Sequence, residues 1–202
     1  MEEKKYLDDL AEIKKIMGQS TQFMSLSGLS GVLAGIHALI GAFIAHGLIE
    51  NHHSRFIIIE SWTFQMIVVT ALSVLVLSVT TAFIFTYFKT KKSSDKLWNP
   101  VSKRLLLNFL IPLLTGGIFS LLLINHGVYG LIGSVTLIFY GLALVNASKY
   151  TVRDIRYLGI TEIIVGLLAT AYPGNSLYFW AFGFGVLHIV YGAIMHFKYD
   201  RK

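Results

Sequence analysis

An ionisable side chain within a long apolar stretch is costly, so the three such residues in this chain are the first places to look for chemistry. Glu162 and His188 lie about six and nine residues into their segments from the same end, or about 9 Å and 13 Å at a helical rise of 1.5 Å. His37 sits near the middle of another segment, about 16 Å in by the same rise. Asn108, Tyr140 and Tyr191 add polar groups toward that end. A carboxylate and an imidazole together in low dielectric either stay charged as a pair or share a proton. Such a group could couple conformation or transport to protons. The same residues could equally serve as interhelical hydrogen bonds that fix register, worth about 1 kcal/mol each. Two histidines and a glutamate also satisfy a zinc ligand count, but no HExxH-like spacing accompanies them, and neither metal nor cofactor is expected.

The elements that must hold these residues follow from composition. Of 202 residues, 54% are hydrophobic and 14% charged, with a mean hydropathy of +0.65. That is too little polar surface for a soluble domain, which carries about 25% charged residues. The absence of cysteine excludes disulfides and thiolate metal sites. Six stretches approach the roughly 20 apolar residues needed to cross a bilayer: 26–48, 62–88, 105–124, 128–146, 155–172 and 177–197. Phe56 to Ile59 precede the second and suit an interfacial position. None alternates with a period of two, so a barrel is excluded. The expected fold is an all-α integral membrane protein, six transmembrane helices in three hairpins over residues 26–202, preceded by a leader over 1–25.

Charge sets the orientation. Sixteen of the 17 Lys and Arg residues fall before the first span, between spans two and three or four and five, or after the sixth; only Arg55 falls on the other side. The positive-inside rule then places both termini in the cytoplasm of a multi-pass inner-membrane protein. It also removes the nucleic-acid reading of the +6 net charge, because no basic groove with interleaved aromatics is present. The leader is as acidic as it is basic, so no cleavable signal is expected. Its Leu10, Ile13 and Met17 share a face, with Leu7 beside them. This amphipathic helix could lie on the bundle's cytoplasmic ends or dock a protein partner.

Two further constellations invite chemistry. His46, His52, His53 and His126 fall on the outer loops near Glu50 and Glu60, where imidazoles could bind zinc or copper or report external pH; solvated loop residues are the preferred explanation. Gly28-Leu29-Ser30-Gly31, with a histidine in the last span, is similar to the rhomboid serine proteases. In that family the serine lies on the fourth span and the dyad opens outward, whereas Ser30 opens the first span here, and the rhomboid loop motifs are missing. No phosphate loop, redox pair or paired catalytic carboxylates appear. No catalytic residue is assigned, and the chain is read as a non-enzyme.

Glycines mark the packing faces. Gly31 and Gly35 form GxxxG, a motif for close helix approach within the bundle or in a homo-oligomer. Gly159, Gly166, Pro173, Gly185 and Gly192 are spaced by 7, 7, 12 and 7 residues, and seven returns nearly to the same helix face. The preceding hairpin echoes this, Gly117 matching Gly166 and Tyr140-Gly141 matching Tyr191-Gly192. This six-span pattern, with Gly-x6-Gly-x6-Pro and a later Gly-x6-Gly, resembles the short-repeat family of bacterial acid-resistance membrane proteins, chiefly over residues 159–192. The resemblance implies an inner-membrane location and a stress-associated role, with no catalytic residues to carry over. The expected function is thus non-enzymatic and structural, accessory or stress-related. The alternative is a small oligomeric proton-linked transporter or channel working through His37, Glu162 and His188. Expected partners are the bilayer, a second copy, or a protein at the leader.

Overall fold

A computed structural model describes Tyr6 and residues 27–52, 59, 61–92 and 98–200. The expectations for the leader helix, for Phe56 to Ile58 and for His53 lie outside the described residues. The described chain is all-α, with six helical segments and no strand. These are α1 (Gly28–Glu50), α2 (Trp62–Lys92), α3 (Pro100–Asn125), α4 (Ile132–Ala147), α5 (Asp154–Ala171) and α6. The last runs unbroken through Ser176–Trp180, a π-helical Ala181–Leu187, His188–Met195 and a π-helical His196–Asp200. Short 3-10 turns, Tyr129–Leu131, Ser148–Tyr150 and Pro173–Asn175, flank α4 and precede α6.

Five helices are long and apolar enough to cross a membrane, which makes this a multi-pass membrane protein. The exception is α5, which carries Asp154, Arg156 and Glu162 among its 18 residues. It is no less part of the bundle: Ile155, Leu158, Glu162, Val165 and Ala169 recur at steps of three and four and form one buried stripe. Glu162 thus occupies a core position. At about 46 Å for 31 residues, α2 overshoots the hydrocarbon thickness. It packs on α1, and the residues of its most apolar stretch all remain unburied.

Local sequence sets the ends. Asn99 accepts from the Ser102 backbone N–H (2.7 Å), while the Asn99 N–H donates to Ser102 Oγ (3.0 Å), with Pro100 in the first turn. This capping box starts α3 five residues before the expected span, because the apolar count that located the span does not register a cap. Asn99→Ala is expected to lower stability by about 0.5–2 kcal/mol in thermal unfolding. At the other end of α3, Gly127 adopts φ +72°. The Gly127 and Val128 N–H groups donate to the Ile124 and Leu123 carbonyls, a Schellman closure that turns the chain into α4.

Interhelical contact is densest where glycines meet. A Cβ on Gly141 would stand 2.6 Å from the Gly159 carbonyl, and one on Gly159 2.7 Å from the Gly141 carbonyl, so α4 and α5 touch backbone to backbone. Gly166 meets Leu137 and Ile138 of α4 in the same way. Gly31 and Gly35 face α6, where Gly185 and Gly192 face them in turn; the GxxxG face is filled within one chain. On α3 the glycine that packs is the neighbour of the Gly117 matched to Gly166 in sequence. Gly116 abuts Phe139 while Gly117 has open space, because one residue turns a helix by about 100° and carries the smooth spot off the contact.

Candidate functional site

Three helices converge on the Glu162 carboxylate. Its residue is 0% exposed and His188, from α6, 6%. His188 Nδ1 lies 3.3 Å from Glu162 Oε1 and 3.1 Å from the Gly183 carbonyl. On the other side of the ring, Nε2 lies 2.8 Å from the Tyr140 hydroxyl of α4. The Glu162–His188 contact is an ion-pair distance without hydrogen-bond alignment, and both carboxylate oxygens lack a hydrogen-bond partner. The pair sits between two apolar clusters, with Leu144, Leu158 and Met195 on one side and Leu137, Val165 and Ala169 on the other. Phe184 lies nearly parallel to the imidazole (5.8 Å, 25°) and is flanked by Trp180 and Tyr140.

The backbone makes this site. The π-helical Ala181–Leu187 stretch widens the turn just before His188, a local geometry that is rare and frequently sits at functional positions. Gly183, within it, leaves the space that the carboxylate uses, since a Cβ there would lie 2.5 Å from Glu162 Oε2 and against Leu137. Two acceptors, the Gly183 carbonyl and the Glu162 carboxylate, face His188 Nδ1. Nδ1 must therefore carry a proton whenever Glu162 is ionised, which leaves Nε2 to settle its bond with Tyr140. The arrangement sets a carboxylate, an imidazole and a phenol in a row inside the bundle, with the carboxylate closed off from solvent.

The remaining expected site residues are dispersed. His37 lines a groove of about 240 Å³ between α1 and α2, with Gly41, Thr70 and Ser73, and its Nδ1 has no hydrogen-bond partner. It faces α2, so the expected grouping of His37 with Glu162 and His188 is not formed. Tyr191 packs in the cluster of Leu144 and Met195. Asn108 serves the backbone. Pro112 lies inside α3 and has no N–H to offer the Asn108 carbonyl four residues back. Asn146 of α4 donates to that carbonyl instead (2.9 Å), and the Asn108 side chain donates to the Arg104 carbonyl (2.8 Å). The signal was legible as Pro112 minus four. Asn146→Leu is expected to cost about 1–3 kcal/mol by orphaning the carbonyl. Pro112→Ala in the same chain should recover most of that, a comparison made by thermal unfolding.

Among the described residues the outer histidines do not converge. His46 contacts Glu50 (3.3 Å) and the Tyr178 ring, His52 contacts Thr63 (2.9 Å), and His126 is exposed at the end of α3. Among the described residues no three His, Asp or Glu side chains are grouped as a metal ion needs. Ser30 of the GxSG donates to the Ser27 carbonyl at 2.6 Å and is buried.

A second polar cluster escaped the sequence reading. Asp200, at the end of α6, accepts from the Gly28 N–H (2.9 Å) and the Ser27 hydroxyl (3.3 Å), and so caps α1 in place of Ser27. The same carboxylate binds Lys89 of α2 (2.6 Å) and His196 (3.2 Å). Beside it Asp154 accepts from Lys198 (2.7 Å) and from the Tyr199 hydroxyl (3.0 Å). The signal was absent because residues 28, 89 and 200 are joined only by the fold. Asp200→Asn keeps the shape and one acceptor, and is expected to lose about 1–3 kcal/mol in thermal unfolding as the charge-assisted bonds go. Compared with protein-family models, with curated proteins and with solved structures, the chain matches none.

Proposed function

We propose that the chain is a non-enzymatic inner-membrane protein of structural, accessory or stress-response type, in which Glu162, His188 and Tyr140 form a proton-dependent tie between α4, α5 and α6. All six helices span, and both termini are cytoplasmic. Support for this orientation comes from charge: among the described residues every Lys and Arg lies at the end that holds Asp154 and Asp200. The stress role draws on the resemblance to acid-resistance membrane proteins.

One observation carries the reading: a fully buried carboxylate faces a buried imidazole. The pair is neutral overall only with one proton between its two members, and a net charge of either sign would be stranded in low dielectric. A proton-conducting path has less to support it, since His37 stands apart and Glu162 is closed off from solvent.

Thermal unfolding from pH 5 to 8 tests this. If the tie depends on a proton, wild-type stability is expected to vary with pH across this window. In Glu162→Gln, which removes the carboxylate from the pair, that variation should vanish. A flat wild-type profile would leave Glu162 as interhelical glue and remove the proton-dependent role.

A further inference from the structure

The outward face of α3, α4 and α5 carries cations in an arrangement that the Glu162 pair does not involve. Tyr140 of α4 points at His188 on α6. Leu142, two residues on, is turned by about 200° and is exposed on the opposite side. α3 and α5 both pack on α4 and flank this side, and both touch the Ser148–Tyr150 turn that closes it. Lys149 in that turn is exposed, as are Arg104 in the opening turns of α3 and Arg156 in the first turn of α5. Below each cation the same face is apolar and exposed: Leu107 follows Arg104 by three residues, Ile160 follows Arg156 by four, and Leu142 lies seven before Lys149. No acid among the described residues pairs with Arg104, Lys149 or Arg156. Among the described residues, the two acids at this end are already held, Asp154 by Lys198 and Asp200 by Lys89 and His196.

We infer that this three-helix face binds an anionic phospholipid of the adjoining leaflet. Its phosphate lies among Arg104, Lys149 and Arg156, and its acyl chains lie along Leu107, Leu142 and Ile160. Charge complementarity selects the headgroup, since basic sites between transmembrane helices on the cytoplasmic side suit acidic lipid heads. The apolar surface beneath selects a lipid over a soluble phosphate, which would leave those side chains unused. The inference rests on the membrane reading of the fold and is independent of the proton-dependent tie.

The test uses the full chain in bilayer discs of phosphatidylcholine alone or of an equal mixture with phosphatidylglycerol. Melting temperature is followed, and lipid retained after gentle release is read by native mass spectrometry. Wild type is expected to melt higher in the mixed discs and to retain phosphatidylglycerol. Arg104→Gln/Lys149→Gln/Arg156→Gln should lose both, with affinity lowered about fivefold per cation and roughly a hundredfold in all. Lys91→Gln, which removes an exposed cation at the same end but on α2, should keep both. Equal retention by the triple variant overturns the proposal, as does equal loss in Lys91→Gln, which would mean an unlocalised charge effect. The same melting shift from soluble glycerophosphate added to phosphatidylcholine discs overturns the lipid in favour of a free anion. Should the triple variant not fold, wild type at raised salt decides: undiminished retention overturns the headgroup assignment.

Discussion

Replacing His188 with alanine is expected to lower stability by about 3–5 kcal/mol at neutral pH, the usual loss when one partner of a buried ion pair is removed and the other is left charged. The environment argues for the upper part of that range. Glu162 has no other cation within ion-pair distance among the described residues, and neither of its oxygens has a hydrogen-bond partner. Glu162→Leu/His188→Leu removes both members together and should recover most of the loss, because a well-packed apolar pair in place of a buried ion pair is often neutral or stabilising. Unfolding in mixed detergent micelles for the two variants and wild type gives the comparison. A double variant as unstable as His188→Ala would mean that packing, and not charge, holds the three helices there.

The second large effect is expected at Gly192. A Cβ there would meet the Val32 amide nitrogen at 2.6 Å, the Gly28 carbonyl oxygen at 2.8 Å and the Gly31 carbonyl carbon at 2.9 Å. All three are backbone atoms, which have no rotamer to swing aside. Gly192→Ala therefore forces α1 and α6 apart, and a loss of about 1–3 kcal/mol or more is expected in the same unfolding assay. The displacement also reaches the Asp200 cap on Gly28, so Asp200→Asn and Gly192→Ala should not add independently. Gly117→Ala is the matched comparison. Its Cβ would enter open space, and the change should be neutral or stabilising by about 0.5–1 kcal/mol, through the lower conformational entropy that alanine surrenders in a helix. A Gly192→Ala variant as stable as Gly117→Ala would show that α1 and α6 tolerate a wider spacing.

The apolar stretches alone determined that this is a multi-pass helical membrane protein, because burying a backbone in lipid leaves few solutions and the helical one is marked residue by residue. Sequence also singled out Glu162 and His188, since an ionisable group stands out against an apolar run whatever the fold around it. Spacing marked Gly31, Gly35, Gly159, Gly166, Gly185 and Gly192 as smooth faces, although not which helix each would meet. The tertiary structure decided the rest. It joined His188 to Tyr140 of α4 and separated His37 from both. Asn108 became the acceptor that Pro112 leaves open for Asn146, and Asp200 became the cap of a helix 172 residues earlier. Partners of this kind are set by the rotation of one helix against another. A π-helical turn such as Ala181–Leu187 changes that rotation without altering the apolar pattern from which the span is read.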